Sequence, residues 1–347
     1  MTSSPTVDEL EQLRAPLLGY CYRLLGSVHD AEDAVQETLL KAVNALSQFD
    51  PDRGRLSTWV HRIATNVCLD MLRSAKRRAL VPTVPHPDPT QVVGESVSRE
   101  SWIEPMPTSR VELVGDPVDR VIARESVRLA FLAALQHLPP RQRAVLLLRD
   151  VLGYSAKETA IVLDITVPAT TSALQRARAT LSSLPAAEAL PQPDDLPTRR
   201  LLDRYVAAFE AHDYDALVSV LHLDAASAMP PFSWLVCGRA NIAALMAASD
   251  ACAGARLVPC SLNGAPGFGQ YRPDGGGRLA PFALVAVEVQ KGLISTVVTF
   301  LESAHRFAEF GLPPVLDGRR RPRPMSNGVP RRTSTRPMPP SQEDPNR

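Results

Sequence analysis

The chain has 347 residues, enough for two or three domains, and an apolar content of 45% that is ample for packed cores. Its formal net charge of +1 does not indicate a nucleic-acid partner, so evidence for nucleic-acid binding must come from local clusters of basic residues. The five cysteines are widely spaced without CxxC or His/Cys sets, which argues against structural zinc and a disulfide framework. We expect no cofactor, no metal, no signal peptide, no membrane span and a cytoplasmic location.

Residues 8–79 have a helical pattern and form the first predicted domain. In the segment DAEDAVQETLLKAVNAL, Asp30 and Asp33 are predicted to cap a helix. Helical spacing gives this helix an inward apolar stripe made of Ala31, Val35, Thr38, Leu39 and Ala42. The stripe leaves Asp33, Gln36 and Glu37 outside, and the pattern alone describes them as a solvated face.

A turn and a long basic helix follow in FDPDRGRLSTWVHRIATNVCLDMLRSAKRR. An asparagine among arginines, close to an aromatic residue, suits single-stranded or distorted DNA, because bases stack on Trp59 while arginines bind phosphates. An ordinary solvated cationic face is the alternative. The candidate DNA-binding residues are Arg53, Arg55, Trp59, Arg62, Asn66, Arg73, Lys76 and Arg77, and Arg78 extends the same basic stripe.

Residues 80–115 are predicted to be an acidic, proline-containing linker, and residues 116–184 a second helical domain. Within the latter, Ser155 and Glu158 have the spacing of a capping box, and Asp164 lies in a short turn where it tolerates the left-handed conformation. A second helix begins near Val167. This is the pattern of a helix-turn-helix, although two ordinary packed helices would look similar.

The second helix carries polar groups that suit phosphates and the base edges of the major groove. These candidate DNA-binding residues are Thr170, Thr171, Ser172, Gln175, Arg176 and Arg178.

The remaining chain changes character. Residues 185–198 are predicted to be a linker and residues 199–316 a mixed α/β domain that opens with an amphipathic helical stretch. FALVAVEVQKGLISTVVTFL indicates two strands joined by a hairpin turn at Lys291-Gly292. Residues 317–347, rich in arginine and proline, are predicted to be a disordered tail, with contact to DNA or polymerase as the alternative.

Together these motifs resemble one family. DAEDAVQETLLKA followed by STWVHRIATNVCLDMLR is similar to region 2 of the sigma-70 family, and LPPRQRAVLLLRDVLGYSAKETAIVLDITVPATTSALQRAR is similar to region 4. The direct linker between them resembles the extracytoplasmic-function (ECF) sigma factors. The C-terminal domain resembles the SnoaL-like, cystatin-like α+β cone. The resemblance therefore implies a multidomain fold with two all-α domains and one α+β cone.

The resemblance also implies partners. The first predicted helix would bind the β′ clamp of core RNA polymerase, with the β subunit as a further contact, through Asp33, Gln36 and Glu37. The basic helix would open and read the melted −10 promoter element. The helix from Val167 would enter the double-stranded −35 element. The acidic linker would pass near the polymerase cleft as an imitation of nucleic acid, or serve as an inert tether. The C-terminal domain would contact regions 2 and 4 within the chain and regulate them.

Departures and alternatives remain. Ala169 and Ala173 stand where many relatives have threonine and a basic residue, and Asp164 stands where glycine is usual. Trp234, Phe232 and Tyr271 are candidates to line an ordinary core or a small-molecule pocket. An enzyme would need acid/base groups such as His222, Asp224, Arg239 and Tyr271, but no paired carboxylates with clear spacing appear, so we expect no catalysis. A free-standing helix-turn-helix regulator with a ligand-sensing domain is the second hypothesis.

Overall fold

The structure is a computed structural model that describes residues 5–73, 78, 96–98, 101–110, 126–183, 196–248 and 250–318, apart from the side chain of Arg53. Two helical units are followed by an α+β cone, which confirms the predicted fold class. The predicted linker at 185–198 and the predicted tail lie almost entirely outside the described residues.

The first helical unit is built around α2, whose residues from Leu17 to Leu25 are all buried. The helices are α1 (Val7–Gln12), α2 (Arg14–Leu25), α3 (Val28–Asn44) and α4 (Leu56–Leu72). The predicted apolar stripe of α3 is confirmed, since Ala31, Val35, Thr38, Leu39 and Ala42 are all buried. This stripe fixes which face of α3 remains exposed.

The second helical unit contains α5 (Leu129–Leu135), α6 (Pro140–Leu146), α7 (Ala156–Leu163) and α8 (Val167–Ser183). A π-helical turn, Leu147–Val151, extends α6. The unit packs directly on the first one, because α7 lies against α4.

His61 of α4 is buried in that contact. Its ring lies edge-on between Tyr20 of α2 and Tyr154 of the second unit, with centroid distances of 5.2 and 5.4 Å. His61 Nδ1 lies 2.8 Å from the Ser57 carbonyl oxygen, while Nε2 is buried without a hydrogen-bond partner among the described residues. Burial lowers the pKa of His61. The contact between the units therefore favours the neutral imidazole.

The cone begins with α9 (Leu196–Ala211) and α10 (Tyr214–Val220), which divide the single amphipathic stretch expected from the sequence. Two separate helices form because Asp213 caps the second one: its side chain accepts a hydrogen bond from the Ala216 backbone N–H at 2.9 Å. A third helix, α11, spans Arg239–Ala247.

The cone's sheet has seven strands: β1 (Leu221–Ala228), β2 (Leu235–Cys237), β3 (Arg256–Leu262), β4 (Ala265–Pro273), β5 (Arg278–Gln290), β6 (Leu293–Phe300) and β7 (Leu316–Asp317). Their order is β2-β1-β6-β5-β4-β3, with β7 beside β5. The pair β1 and β6 is parallel and the other pairs are antiparallel. The predicted hairpin turn is confirmed, since Lys291 and Gly292 both have positive φ angles, as a two-residue hairpin requires.

The sheet contributes to two cores. Tyr205, Phe268 and Val285 belong to the core formed with the cone's own helices. Leu284 and Phe300 belong to a second core that is continuous with the helical units. The cone is therefore joined to the helical units by a shared apolar core.

Residues 101–110, which the sequence places in an acidic linker, are part of this packed structure. Trp102, Ile103 and Met106 are buried. Side chains from both sides bind the backbone carbonyls of this segment: the Tyr22 hydroxyl donates to Glu104 O at 2.6 Å, and Arg306 Nη1 donates to Pro105 O at 2.9 Å. Neither a solvated tether nor a free anionic strand describes these ten residues in this structure. Their apolar side chains occupy a gap that the flanking units leave.

Asn263, in the turn between β3 and β4, forms hydrogen bonds through both polar atoms of its side-chain amide at this junction. It exchanges two hydrogen bonds of 2.9 Å with the backbone of Met106. Its Nδ2 donates to the Tyr22 hydroxyl at 2.7 Å and to the Val127 carbonyl at 2.9 Å. Asn263 is 1% exposed. One turn residue thus connects the cone to the first unit, to the linker segment and to the entrance of the second unit.

Buried arginines complete the junction. Arg143 of α6 donates to the Leu24 carbonyl of the first unit and to Gln136. Burial lowers the pKa of Arg143 to about 10. Arg128 lies 3.3 Å from Glu288 of β5, and both side chains are buried. A buried charge is tolerated only where it is paired or hydrogen-bonded, so these contacts specify the arrangement of the units.

We expect Asn263→Gly to lower the free energy of unfolding by about 2 kcal/mol or more, because it leaves Met106 N and the Val127 carbonyl buried without their partners. Glycine keeps the positive φ of 51° found at this position. Asp164→Gly, at an exposed position with φ 52°, is the matched control and should change stability little. Urea unfolding measures both. Equal effects of the two substitutions would contradict the role of the amide.

The His61 contact should weaken in acid. Because its pKa is lowered from the ordinary 6.5, the proton binds more tightly when the contact is open. The stabilisation is complete above pH 6.5 and declines as the pH falls below it. The Tm of the native chain should therefore drop more steeply between about pH 7.5 and pH 5.5 than the Tm of His61→Gln, which cannot take up a proton. Parallel pH profiles would show that His61 is not responsible.

Candidate functional site

The exposed face of α3 combines polar and apolar residues. Asp33, Gln36 and Glu37 are exposed, as the sequence predicts. The same helix also exposes Leu40 by 58% and Val43 by 41%. Sequence reasoning missed these two, although they are the apolar residues that fall outside the buried stripe. Exposed apolar residues beside polar ones on a rigid helix are typical of a protein-binding surface.

The start of α3 differs from the prediction. Ser27, not Asp30 or Asp33, caps the helix, since its hydroxyl accepts a hydrogen bond from Asp30 N at 3.2 Å. The buried carboxylate of Glu104 lies at the same helix end and accepts from Val28 N at 2.8 Å. A negative charge at a helix N-terminus is favourable because it complements the free N–H groups and the helix dipole. The linker segment therefore helps to hold α3.

A shallow depression lies between the end of α3 and the first half of α4. It has a volume of about 390 Å³ and is lined by Lys41, Ala45, Gln48, Trp59, Ile63 and Asn66. Two predicted DNA-binding residues, Trp59 and Asn66, thus share one concave surface. The Trp59 ring also packs against Phe49, at a centroid distance of 5.5 Å. From the sequence, Lys41 is one more residue of the solvated face of α3 and Gln48 carries no signal, because only the fold brings α3 next to α4.

The predicted basic stripe is divided. Arg55 and Arg62 are exposed, and Arg73 is exposed with Asp70 3.1 Å away. Lys76 and Arg77 lie outside the described residues, as does the side chain of Arg53.

Arg78 does not belong to the stripe: it is buried, donates to the Trp102 carbonyl at 3.1 Å and pairs with Asp30. Its role in this structure is to connect the linker segment to α3.

The helix-turn-helix geometry agrees with the sequence in detail. Ser155 and Glu158 form the reciprocal capping box, with distances of 2.8 and 3.1 Å. Hydrogen bonds from Ser155 lower the pKa of Glu158. Asp164 has a φ of 52° and ends α7, and α8 begins at Val167.

The prediction that Thr170 of α8 contacts DNA is wrong. Thr170 is buried, and its hydroxyl donates to the Thr166 carbonyl at 3.2 Å. It belongs to the inward face of α8 together with Ala173, Leu174 and Ala177, which recur at helical spacing. The outward polar residues are Thr171, Ser172, Gln175, Arg176 and Arg178. Arg178 makes a two-pronged ion pair with Asp150, at 2.7 and 3.0 Å.

The aromatic residues of the cone do not line a common pocket. Trp234 is buried in the core of the cone's helices, with Phe232 packed against that core. Tyr271 is buried in the other core, where its hydroxyl donates to the Pro313 carbonyl at 2.7 Å. Asp224, by contrast, is exposed. Trp234 and Tyr271 are therefore core residues in this structure, and Asp224 lies on the surface of the cone.

Among the described residues, no group of three or more His, Cys, Asp or Glu side chains could hold a metal ion. None of the helices in the described ranges is long and apolar enough to cross a membrane.

Comparison with known proteins places these surfaces in context. Sigma-70 region 2 matches residues 10–78, and Sigma-70, region 4 matches residues 128–181. The ECF RNA polymerase sigma factor SigG of Mycobacterium tuberculosis is 44% identical over 315 residues, which cover 87% of this chain and 82% of SigG. SigJ from the same organism is 33% identical over 218 residues, covering 63% of this chain and 62% of SigJ.

The similarity extends to the arrangement of all three units. The crystal structure of Mycobacterium tuberculosis SigJ aligns with a TM-score of 0.57 at 24% identity, over 89% of this chain and all of the SigJ chain. At that identity the match shows a shared fold. The relationship to SigG, which spans most of both chains, shows the family. The chain belongs to the ECF RNA polymerase sigma factors, which are not enzymes but direct RNA polymerase to initiate transcription.

Proposed function

We propose that this sigma factor has a closed form in which the C-terminal cone holds regions 2 and 4 together, and that promoter use requires the two regions to separate. The single observation that carries the proposal is the Asn263 junction, where one side chain binds Tyr22 of region 2, Met106 of the linker and the Val127 carbonyl just before the region 4 match.

The geometry of a promoter supports the need for separation. The −10 and −35 elements are named for positions about 25 base pairs apart, or about 85 Å along the duplex at 3.4 Å per base pair. In the closed form α4 of region 2 packs against α7, the first helix of the helix-turn-helix. Two readers in direct contact cannot occupy two elements at that distance. The cone therefore acts as an inhibitor of promoter binding until core polymerase separates the regions.

The exposed face of α3 is the proposed contact with core RNA polymerase, at the β′ clamp. Its polar residues Asp33, Gln36 and Glu37 share the exposed face of α3 with Leu40 and Val43. Burial of such apolar side chains would supply binding energy, and the acidic residues would select a basic partner. This face is exposed in the closed form, so polymerase can bind before the regions separate.

The depression at Trp59 and Asn66 is the proposed site for a base of the melted −10 element. A base removed from the stack needs a concave, partly aromatic surface with hydrogen-bonding groups. Trp59 and Ile63 supply the apolar lining, and Gln48 and Asn66 supply amides. Exposed Arg55 and Arg62 are placed on the same helix end to neutralise phosphates.

Leu40→Glu should weaken the binding of core RNA polymerase at least about tenfold, because a charge replaces an apolar group that the interface buries. Leu223→Glu is the matched control, since Leu223 is exposed by 63% on β1 of the cone. Kd for purified core measures both, and circular dichroism verifies folding. A Leu223→Glu effect as large as that of Leu40→Glu would place the interface elsewhere.

Asn263→Gly should raise promoter-specific initiation by several-fold in transcription with purified core polymerase, because it weakens the junction while leaving every proposed polymerase and DNA contact intact. A chain ending at residue 184, which lacks the cone, should show at least the same increase if it remains soluble. Asp164→Gly cannot serve as control here, since it lies beside α8; Leu223→Glu again serves.

Two results would count against the closed form. Reduced initiation by Asn263→Gly, with core binding unchanged, would make the cone an activator. An unchanged rate of initiation would show that the Asn263 junction does not control initiation.

A further inference from the structure

The first turn of α8 presents apolar groups to solvent. Val167, Pro168 and Ala169 are all exposed. Pro168 also lacks a backbone N–H. The next outward residue, Thr171, donates its hydroxyl to the Val167 carbonyl at 3.2 Å, so the hydroxyl proton is already used and the methyl group remains for an outside contact. The outward side chains of Val167, Pro168, Ala169 and Thr171 therefore offer no free hydrogen-bond donor.

The polar groups of α8 lie further along and are fewer than the sequence indicates. Thr170 is buried, and Arg178 is held by Asp150. In the described part of the chain, the side chains of Ser172, Gln175 and Arg176 make no hydrogen bond or ion pair within the protein, and all three are exposed. Their spacing of three and four residues puts them on one side of the helix.

We propose that this helix reads the −35 element chiefly through thymine C5-methyl groups, which pack against Pro168, Ala169 and the Thr171 methyl. Hydrogen-bonded readout is confined to Ser172, Gln175 and Arg176. The inference rests on the proposed placement of α8 in the major groove. In helix-turn-helix proteins the N-terminal residues of the second helix contact the base edges.

Thymine is selected because its methyl group is the apolar feature of the major groove. Where thymine has its methyl group, cytosine has only a C5 hydrogen and so loses the apolar contact, whereas a purine places its N7 acceptor against the turn, where it would lose water and gain no partner. The apolar turn thus favours thymine over cytosine and rejects purines. Arg176 and Gln175 remain free for a purine nearer the middle of the helix, where bidentate pairing with guanine or adenine is available.

The test uses the complete holoenzyme and a promoter that it selects from a library. Thymines of the −35 element are replaced by deoxyuridine, which keeps Watson–Crick pairing and removes only the methyl group. We expect affinity to fall about fourfold for each contacted thymine. The same replacement in the spacer between the two elements is the control and should have no effect.

A protein variant completes a double-mutant cycle. Thr171→Ser keeps the hydroxyl that bonds to Val167 O and removes the methyl. It should weaken binding to the thymine element and have a clearly smaller effect on the deoxyuridine element, because the contact it removes is already lost there. Equal effects of Thr171→Ser on both duplexes would overturn the methyl contact.

The failures of the two proposals are distinguishable. If scrambling the −35 element abolishes binding but deoxyuridine does not weaken it, the methyl readout is wrong while the placement of α8 stands. If scrambling the element has no effect, α8 does not read it, and the placement and the inference fall together.

Discussion

The hydrogen-bonded amide of Asn263 is the constraint on which the arrangement of this protein depends. An asparagine side chain offers one acceptor and two donors, and here all are used by groups from other parts of the chain. Because Asn263 is buried, each bond lost would leave a buried polar group unpaired. The position of the cone relative to regions 2 and 4 is therefore fixed by a small number of polar contacts inside an apolar core.

The linker segment connects the Asn263 junction to α3. Glu104 receives the Tyr22 hydroxyl on its backbone carbonyl and places its carboxylate at the N-terminus of α3. Arg78 binds both the linker and Asp30 of the same helix. The helix proposed to bind polymerase is thus held at one end by a segment that also binds the cone through Asn263 and Arg306. Movement of the linker and the state of α3 are physically connected.

Local chemistry explains what could be predicted from the sequence. The capping box at Ser155, the left-handed Asp164 and the hairpin turn at Lys291-Gly292 are each determined by residues only a few positions apart. The buried stripe of α3 was predictable for the same reason. The sequence correctly predicted the helical periodicity of α8. Which side of α8 faces inward, and hence the burial of Thr170, depends on how α8 packs on α6 and α7.

Long-range pairing explains what could not be predicted. Asn263 and Tyr22 are 241 residues apart, and nothing in either local sequence indicates the other. Residues 101–110 belong to a stretch that the sequence describes as an acidic, proline-containing linker, yet Trp102, Ile103 and Met106 are buried, and Ile103 and Met106 join the core shared by the helical units and the cone. Tyr271 and Trp234 are both buried aromatic residues of one sheet domain, and only the fold assigns them to different cores.

The way the linker is held also limits how such proteins can be recombined. Its carbonyls accept hydrogen bonds from Tyr22 of the first helical unit and from Arg306 and Asn263 of the cone, and its buried carboxylate accepts one from Val28 N at the start of α3. A chimera that takes its cone from one relative and its helical regions from another would inherit mismatched partners for the same segment. Because the segment is bound from both sides, the unit of exchange in this architecture is the helical regions, residues 101–110 and the cone together.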